Sequence, residues 1–478
     1  MNTKSPENTC STQKSWNGMA SLTVLAAGVL SLGFALLMPP FGFNDEHGHF
    51  ARAYQISRGE FIGRRNPRLP SAVLSDLLRY PERLERKATA PTRIADLFTA
   101  HAADFSASEP VGDNPQARRG YLSWDFLSYQ VYWPVTYLPS GVGLRIARSF
   151  QMSTIGMLYV GRLMNVLCFC AALAAALALA PSFRALITAV ALMPMTLLQC
   201  AAVAADQVTI TLAFVGFALV LRTRERPVSR IYLAILLLVF PVWVLCKNSY
   251  WALPLLLLIP SRQFGGKLRR ATYIASVIVI TLSVVVAWGE LTSDALAGFR
   301  AAAESTKGID IYANAREFAG HPFQVLRDVT AGPAHAKPLF HLRMMMNQFV
   351  GVFGWQMHDL PIRFVYLFML FGVAFLEFSP KEFAVTERIL LLVVFAGGLL
   401  STYFVLFVIA GMYQDGHYTF WAAGTQGRYV IPYCLAGLLA LKQSWFRVSS
   451  RVLAPAVLSA ATLYGLWSLG TVANYYYK

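Results

Sequence analysis

The stretch Ala20-Ser21-Leu22-Thr23-Val24-Leu25-Ala26-Ala27-Gly28-Val29-Leu30-Ser31-Leu32-Gly33-Phe34-Ala35-Leu36-Leu37-Met38 runs without a single charge into Pro39-Pro40-Phe41-Gly42-Phe43-Asn44-Asp45-Glu46-His47-Gly48-His49-Phe50-Ala51-Arg52. Its first half matches the roughly 20 apolar residues that span a bilayer. The second half sets two adjacent carboxylates, two histidines and an arginine where that helix meets water. A connector needs no such concentration of ionisable groups, so this boundary is the candidate chemical centre of a membrane enzyme.

The rest of the chain repeats the apolar theme. Of 478 residues, 56% are hydrophobic and only 14% charged, against about 25% charged in ordinary soluble domains. The expected fold is an all-α polytopic membrane protein. The net charge of +16 follows from Arg and Lys gathered in short loops on one side, the positive-inside bias, and from attraction to anionic lipid head groups. No nucleic-acid-binding module is recognisable, and no P-loop or serine-hydrolase signature is present. Cys168, Cys170, Cys200, Cys246 and Cys434 lie in or beside apolar runs and read as small buried hydrophobes. The run 20–38 is longer than a typical signal-peptide core and Met38-Pro39-Pro40 is a poor cleavage site, so a retained first helix is expected.

Taken in order, a cytoplasmic tail (1–18) precedes the first transmembrane helix (19–38), and a polar segment (39–155), too long for a connector, folds as an extracytoplasmic loop domain. Further spans are expected at 156–180, 185–201, 207–221, 231–246, 251–260 and 272–288 within 156–289. The run 251–260 is short, which implies membrane thinning, a re-entrant form or recruitment of Lys247-Asn248-Ser249-Tyr250. A second extracytoplasmic loop (290–360) leads to spans at 361–378, 389–412, 429–441 and 452–469 within 361–470, and to an outer tail (471–478). The total is about eleven spans, with the amino terminus cytoplasmic and the carboxyl terminus periplasmic.

This topology carries several ionisable groups to one membrane face: Asp45, Glu46, His49 and Arg52 after the first span, Arg162 in the second, Asp206 between the third and fourth, Lys247 after the fifth and Arg428 before the tenth. Charges at membrane depth are costly and by default suggest function. Asp45 and Glu46 are the candidate general bases, able to take a proton from an attacking hydroxyl; their bland reading is a solvated helix start. His49 serves as a hydrogen-bond partner orienting the carboxylates, and Arg52, on its helical face, as a substrate contact or a salt-bridge partner. Arg162, Lys247 or Arg428 can hold a phosphate leaving group. Asp206 is otherwise a helix cap, and Lys247 and Arg428 are otherwise snorkelling anchors. Arg64, Arg65 and Arg68 read as a solvated surface. A divalent metal could sit on Asp45, His49 and Asp206, although His-Glu-x-x-His is absent; no other cofactor is indicated.

Asn44-Asp45-Glu46-His47-Gly48-His49-Phe50-Ala51-Arg52-Ala53-Tyr54-Gln55-Ile56 resembles the Pro-Asp-Glu-Pro-x-His-Phe-x-Arg-Ala-Tyr-Gln-Ile signature of the bacterial multipass family called domain of unknown function 2142. Gly161-Arg162-Leu163-Met164-Asn165, Asp206, Lys247-Asn248-Ser249-Tyr250, Gly354-Trp355 and Gln426-Gly427-Arg428-Tyr429 add to the resemblance. His47 departs from it, standing where the family usually has proline. The family is similar to GT-C membrane glycosyltransferases, which place an acidic residue in the first outer loop. The resemblance implies transfer of a sugar from a polyprenyl-phosphate donor to a cell-envelope polysaccharide or lipid acceptor, at the outer face of the bacterial inner membrane. The alternatives are a transporter or flippase of lipid-linked sugars, and a noncatalytic subunit of a polysaccharide-assembly complex.

Overall fold

The computed structural model describes residues 6–84, 94–98, 108–110, 122–331, 340–353, 358–359, 363–378, 382–414, 417–420, 426–442, 448 and 450–477. Helices dominate, as an all-α polytopic membrane protein requires. Three short antiparallel strand pairs join them: Arg68–Pro70 with Ser108–Pro110, Val352–Phe353 with His358–Asp359, and Gly411–Gln414 with His417–Phe420. A bilayer tolerates no unpaired backbone polar groups, so its spans are helices that satisfy their own.

Among the described residues, six helices are long and apolar enough to cross a membrane: Gly18–Leu37, Thr154–Leu179, Ala205–Glu225, Lys267–Leu291, Val385–Ala410 and Val452–Tyr477. They lie in α1 (Pro6–Leu37), α4 (Thr154–Leu179), α7 (Ala205–Glu225), α9 (Lys267–Leu291), α10 (Val385–Ala410) and α12 (Ser450–Tyr477). Between them come α2 (Glu46–Ser57), α3 (Leu138–Ser149), α5 (Arg184–Ala191), α6 (Pro194–Ala201), α8 (Arg230–Leu245) and α11 (Ile431–Ala440).

The other five expected spans are shorter or broken, and the count of eleven is not reached on length. The expected span 185–201 is the pair α5 and α6, bent by 78°. Pro194 occupies the first turn of α6, and proline disfavours helix in the residue before it. Every residue of both halves is buried, and counted as one broken span the pair brings the number to seven. The expected span at 251–260 is a 3-10 helix, Tyr250–Leu258, with Pro254 inside. Lys247, at φ 55°, separates it from α8, so residues 247–250 do not extend a continuous span. Helix α11 has ten residues, about 15 Å at 1.5 Å each, half of a bilayer core.

The central element is α7, whose span is 83% buried, whereas α9, at 11%, lies at the periphery. Helix α4 packs on α1, α3 and α7, α12 on α1, and α10 on α11. The main core includes Phe34, Phe169, Leu197, Phe214, Trp243 and Tyr433. A second core of Phe50, Tyr54, Leu69, Leu77, Phe126 and Leu158 gathers around α2. It forms where α1 ends and α4 begins, and it seats the acidic stretch.

Candidate functional site

Pro39 and Pro40 lack the N–H that a continuing helix needs, so α1 stops at Leu37 and its last carbonyls have no helical partner. Arg162 of α4, fully buried, fills that role. Its Nη1 donates to the carbonyls of Ala35 (2.8 Å) and Met38 (2.9 Å), and Nη2 to that of Pro39 (2.9 Å). Its Nε and Nη2 also donate to the two carboxylate oxygens of Glu46, with Nε to Oε1 at 2.9 Å. All five guanidinium donors are thereby used. Glu46 Oε1 accepts a further bond from Val203 N at 3.1 Å. The pair is a strut tying the end of α1 to the start of α2, and Glu46 has no exposed surface.

Asp45 differs from its neighbour in every respect. It takes the amino-terminal cap position of α2 in the left-handed conformation, φ 62°, yet its side chain caps nothing. Left-handed non-glycine residues cost energy and cluster at functional sites, Asp and Asn being the best tolerated. Phe41, four residues earlier, and Lys247 share that conformation. The Asp45 carboxylate turns instead to Arg428 Nη2 and is 24% exposed.

Arg428, in the 3-10 turn Gly427–Val430, also donates to Asn44 O (3.2 Å) and the Tyr429 hydroxyl (3.2 Å). Its Nε stands 3.8 Å from Asp206 Oδ2, while Asp206 Oδ1 accepts from Lys247 Nζ at 2.6 Å. Four charges therefore alternate: Asp45, Arg428, Asp206, Lys247. Together with Glu46 and Arg162, three carboxylates face three cations. The cap of α7 is Ala204, and Asp206 lies within the first turn without capping it. Lys247, half-buried, and Arg428, buried, are both ion-pair partners.

His49 Nδ1 lies 2.7 Å from the Tyr137 hydroxyl, and its ring packs on Tyr129 at 4.3 Å. Burial drives its pKa well below the ordinary value, and Lys247 and Arg428 add to that against the opposing pull of Asp45. Burial likewise lowers His47, against Asp45. At Asp45 burial acts upward, but Arg428 and the two histidines outweigh it and hold the carboxyl below its usual range. Arg52 is placed elsewhere: it donates to Gln55 Oε1 (3.2 Å), Glu60 O (3.1 Å) and Phe61 O. Arg64, Arg65 and Arg68 are exposed, and Gly354-Trp355 lies outside the described residues. Among the described residues no three His, Cys, Asp or Glu side chains gather in a group fit for a metal.

Asp206 and Lys247 line a cavity of about 500 Å³. Its polar end adds the side chains of Tyr132 and Tyr429; its length is apolar, with Trp288 and Val285 from α9 and Phe404 and Val408 from α10. Helix α9 packs on α8, α10 on α11, and both pack on the 3-10 segment Tyr250–Leu258, which contributes Trp251 to the wall. The sequence reading missed this cavity and its aromatic lining; the only local signal was the Tyr132-Trp133-Pro134 cluster. It also missed Gly48. A β-carbon there would lie 2.0 Å from the Tyr129 ring, so glycine is what lets the ring reach His49.

Comparison with curated proteins and with solved structures gives no match. The model of one family, described as "Predicted membrane protein (DUF2142)", covers residues 29–436, a range that contains all eight candidate residues from Asp45 to Arg428. The chain therefore belongs to the DUF2142 family of multi-pass membrane proteins.

Proposed function

We propose that the chain is a GT-C-like membrane glycosyltransferase that moves a sugar from a polyprenyl-phosphate donor to a cell-envelope polysaccharide or lipid, on the outer face of the bacterial inner membrane. The observation that carries this reading is the cavity: apolar along membrane helices, charged at one end. That shape suits an amphiphile with a long hydrocarbon tail and a polar head. The paired charges at the head end lie within a bundle where unpaired ones would be costly.

Asp45 is the base. It is ionised, partly exposed and committed to a single cation, which leaves one oxygen to accept the proton of an acceptor hydroxyl. As that proton leaves, the acceptor oxygen bonds to the anomeric carbon and the carbon–oxygen bond to phosphate breaks. The electron pair departs with the polyprenyl phosphate, a weak base that needs a cation more than an acid. Lys247 supplies it, since Nζ carries three donors and lines the cavity beside Asp206. Glu46, whose oxygens are occupied by Arg162 and Val203, positions the loop and does not take part in proton transfer. His49, neutral at pH 7, orients Tyr137 and the α2 start.

The test is Asp45→Asn in cells, with envelope glycans read by mass spectrometry and the protein quantified in membranes. Loss of one glycan well beyond any fall in protein abundance is expected, since a general base contributes about 10²–10⁴-fold. An unchanged glycan profile with abundant protein would end the catalytic reading. Movement of a lipid-linked sugar across proteoliposomes without transfer would put a transporter in its place.

A further inference from the structure

Two buried polar atoms face each other beside the charged end of the cavity, which Asp206 lines and Arg428 does not. Asp206 Oδ2 and Arg428 Nε stand 3.8 Å apart, and neither has a hydrogen-bond partner among the described residues. Their residues are 1% and 2% exposed. A buried acceptor or donor left unpaired keeps its full desolvation cost, so this gap is an energetic fault unless something fills it. Each residue is otherwise engaged: Asp206 through Oδ1 with Lys247, Arg428 through its Nη atoms with Asp45, Asn44 and Tyr429.

The geometry points to a sugar hydroxyl as the occupant, and we propose that Asp206 Oδ2 and Arg428 Nε form the site that reads a hydroxyl of the lipid-linked sugar. This rests on the lipid-linked-sugar reading above and names the part of the substrate that the charge cluster recognises. A hydroxyl carries a donor and an acceptor on one atom. An oxygen about 2.8 Å from each of two groups 3.8 Å apart makes both bonds at once; both atoms are closed to solvent, so the ligand parts the two side chains as it enters. It donates to Oδ2 and accepts from Nε.

Charge separates this ligand from a bare phosphate. The local set of Asp45, Asp206, Lys247 and Arg428 is neutral. A phosphate oxygen could accept from Nε but would meet the carboxylate oxygen of Asp206 in a buried setting, where like charges repel strongly. The phosphate therefore belongs on the free donors of Lys247, and the Asp206–Arg428 gap belongs to an uncharged group. A site built to bond a hydroxyl also rejects ligands that lack it, because its own polar atoms are then left bare. The gap is thus a specificity device as well as a binding contact.

The test is calorimetric titration of the full chain in nanodiscs with neutral farnesyl glycosides (glucoside, galactoside, mannoside), farnesyl phosphate and farnesol. At least one glycoside should bind at least tenfold tighter than farnesol. Its monodeoxy analogues should show a loss of tenfold or more at one position and little at the others. Arg428→Lys keeps the charge facing Asp45 but removes Nε; it should weaken the glycoside at least tenfold while changing farnesyl phosphate affinity less than twofold. No glycoside binding better than farnesol, uniform tolerance of every deoxy analogue, or equal losses for glycoside and phosphate in Arg428→Lys would each overturn the assignment. The deoxy series uses the unaltered protein, so it decides the matter even if Arg428→Lys does not fold. The two readings fail separately: a glycan profile untouched by Asp45→Asn removes the catalysis, whereas a flat deoxy series removes only the hydroxyl site.

Discussion

Glu46→Gln discriminates the two adjacent carboxylates. In the intact protein the Arg162 guanidinium is fully buried and gives two of its donors to Glu46, its only carboxylate partner among the described residues. Glutamine keeps the shape but removes the charge, and one face of its amide presents N–H groups to a guanidinium that can only donate. Removing one partner of a buried ion pair costs about 3–5 kcal/mol, because the other charge stays buried and uncompensated. At about 1.4 kcal/mol per tenfold, the folded-to-unfolded ratio should fall by roughly two to three and a half orders of magnitude. The measurement is membrane abundance together with thermal aggregation of detergent-extracted protein, for Glu46→Gln, Arg162→Met and the double variant Glu46→Leu/Arg162→Met. Both single variants should be depleted and heat-labile. The double variant should recover much of the loss, with the carbonyls of Ala35, Met38 and Pro39 still lacking the Arg162 donors. Glu46→Gln protein as abundant and heat-stable as the parent, yet devoid of transfer, would show that Glu46 does chemistry and would sink the strut argument.

Acidification tests His49. Its folded-state pKa is depressed, so the unfolded chain binds more protons as pH falls, and stability drops once pH passes below about 6.5. His49→Gln should flatten that fall between pH 7 and 5 in a thermal melt, and an unchanged slope would mean that His49 is not the titrating group. Asp45 carries the carboxylate version of the same sign. Its depressed pKa makes its ion pair with Arg428 persist down to about pH 4 and weaken only below the ordinary value of 3.8, so the stability difference between parent and Asp45→Asn should be flat from pH 7 to 5. Gly289 lines the cavity, and a β-carbon there meets nothing within 4 Å; Gly289→Trp should block the tail channel and abolish the glycan at normal abundance, and full activity would dissociate the cavity from function. Gly48→Ala should displace Tyr129 from His49, lowering melting temperature by several degrees while leaving Glu46 and Arg162 paired; an unaffected melt would refute the close packing.

The charged residues were legible because ionisable groups beside apolar runs are rare and costly. Asp45, Arg162, Asp206, Lys247 and Arg428 stand out in one dimension, and they meet in three. Their pairing was not legible. Asp45 and Glu46 are chemically alike and adjacent, but Glu46 turns inward to Arg162 while the left-handed Asp45 swings out to Arg428. Only tertiary packing decides that. Arg52 shares a helical face with His49, yet carbonyls of the turn after α2 capture it first. Helix length supports six of the eleven expected spans, or seven with the bent pair, because hydropathy registers apolar runs without distinguishing a long lipid-facing helix from a short or broken one. Residues 185–201 carry the composition of a span and the burial of a core. The cavity draws its wall from Tyr132, Trp251, Trp288, Phe404 and Tyr429, residues too far apart in sequence for any local pattern to join them.

The alternating charges also bear on how the chain is put together in the bilayer. Inserting a lone Lys, Arg or Asp at the middle of a span costs about 2.5–3.5 kcal/mol. Asp206 and Lys247 sit on the consecutive helices α7 and α8 and its exit turn, so this couple can neutralise as a single hairpin enters the membrane. Glu46 and Arg162 are likewise supplied by the first third of the chain. Arg428 is different. Its partners, Asp45 and Asp206, are synthesised more than two hundred residues before it, so the turn that leads into α11 brings the cation that joins Asp45 to the Asp206–Lys247 couple. A chain truncated before Arg428 would hold two finished pairs and one stranded carboxylate, Asp45, and assembly of the charge cluster would stop one residue short.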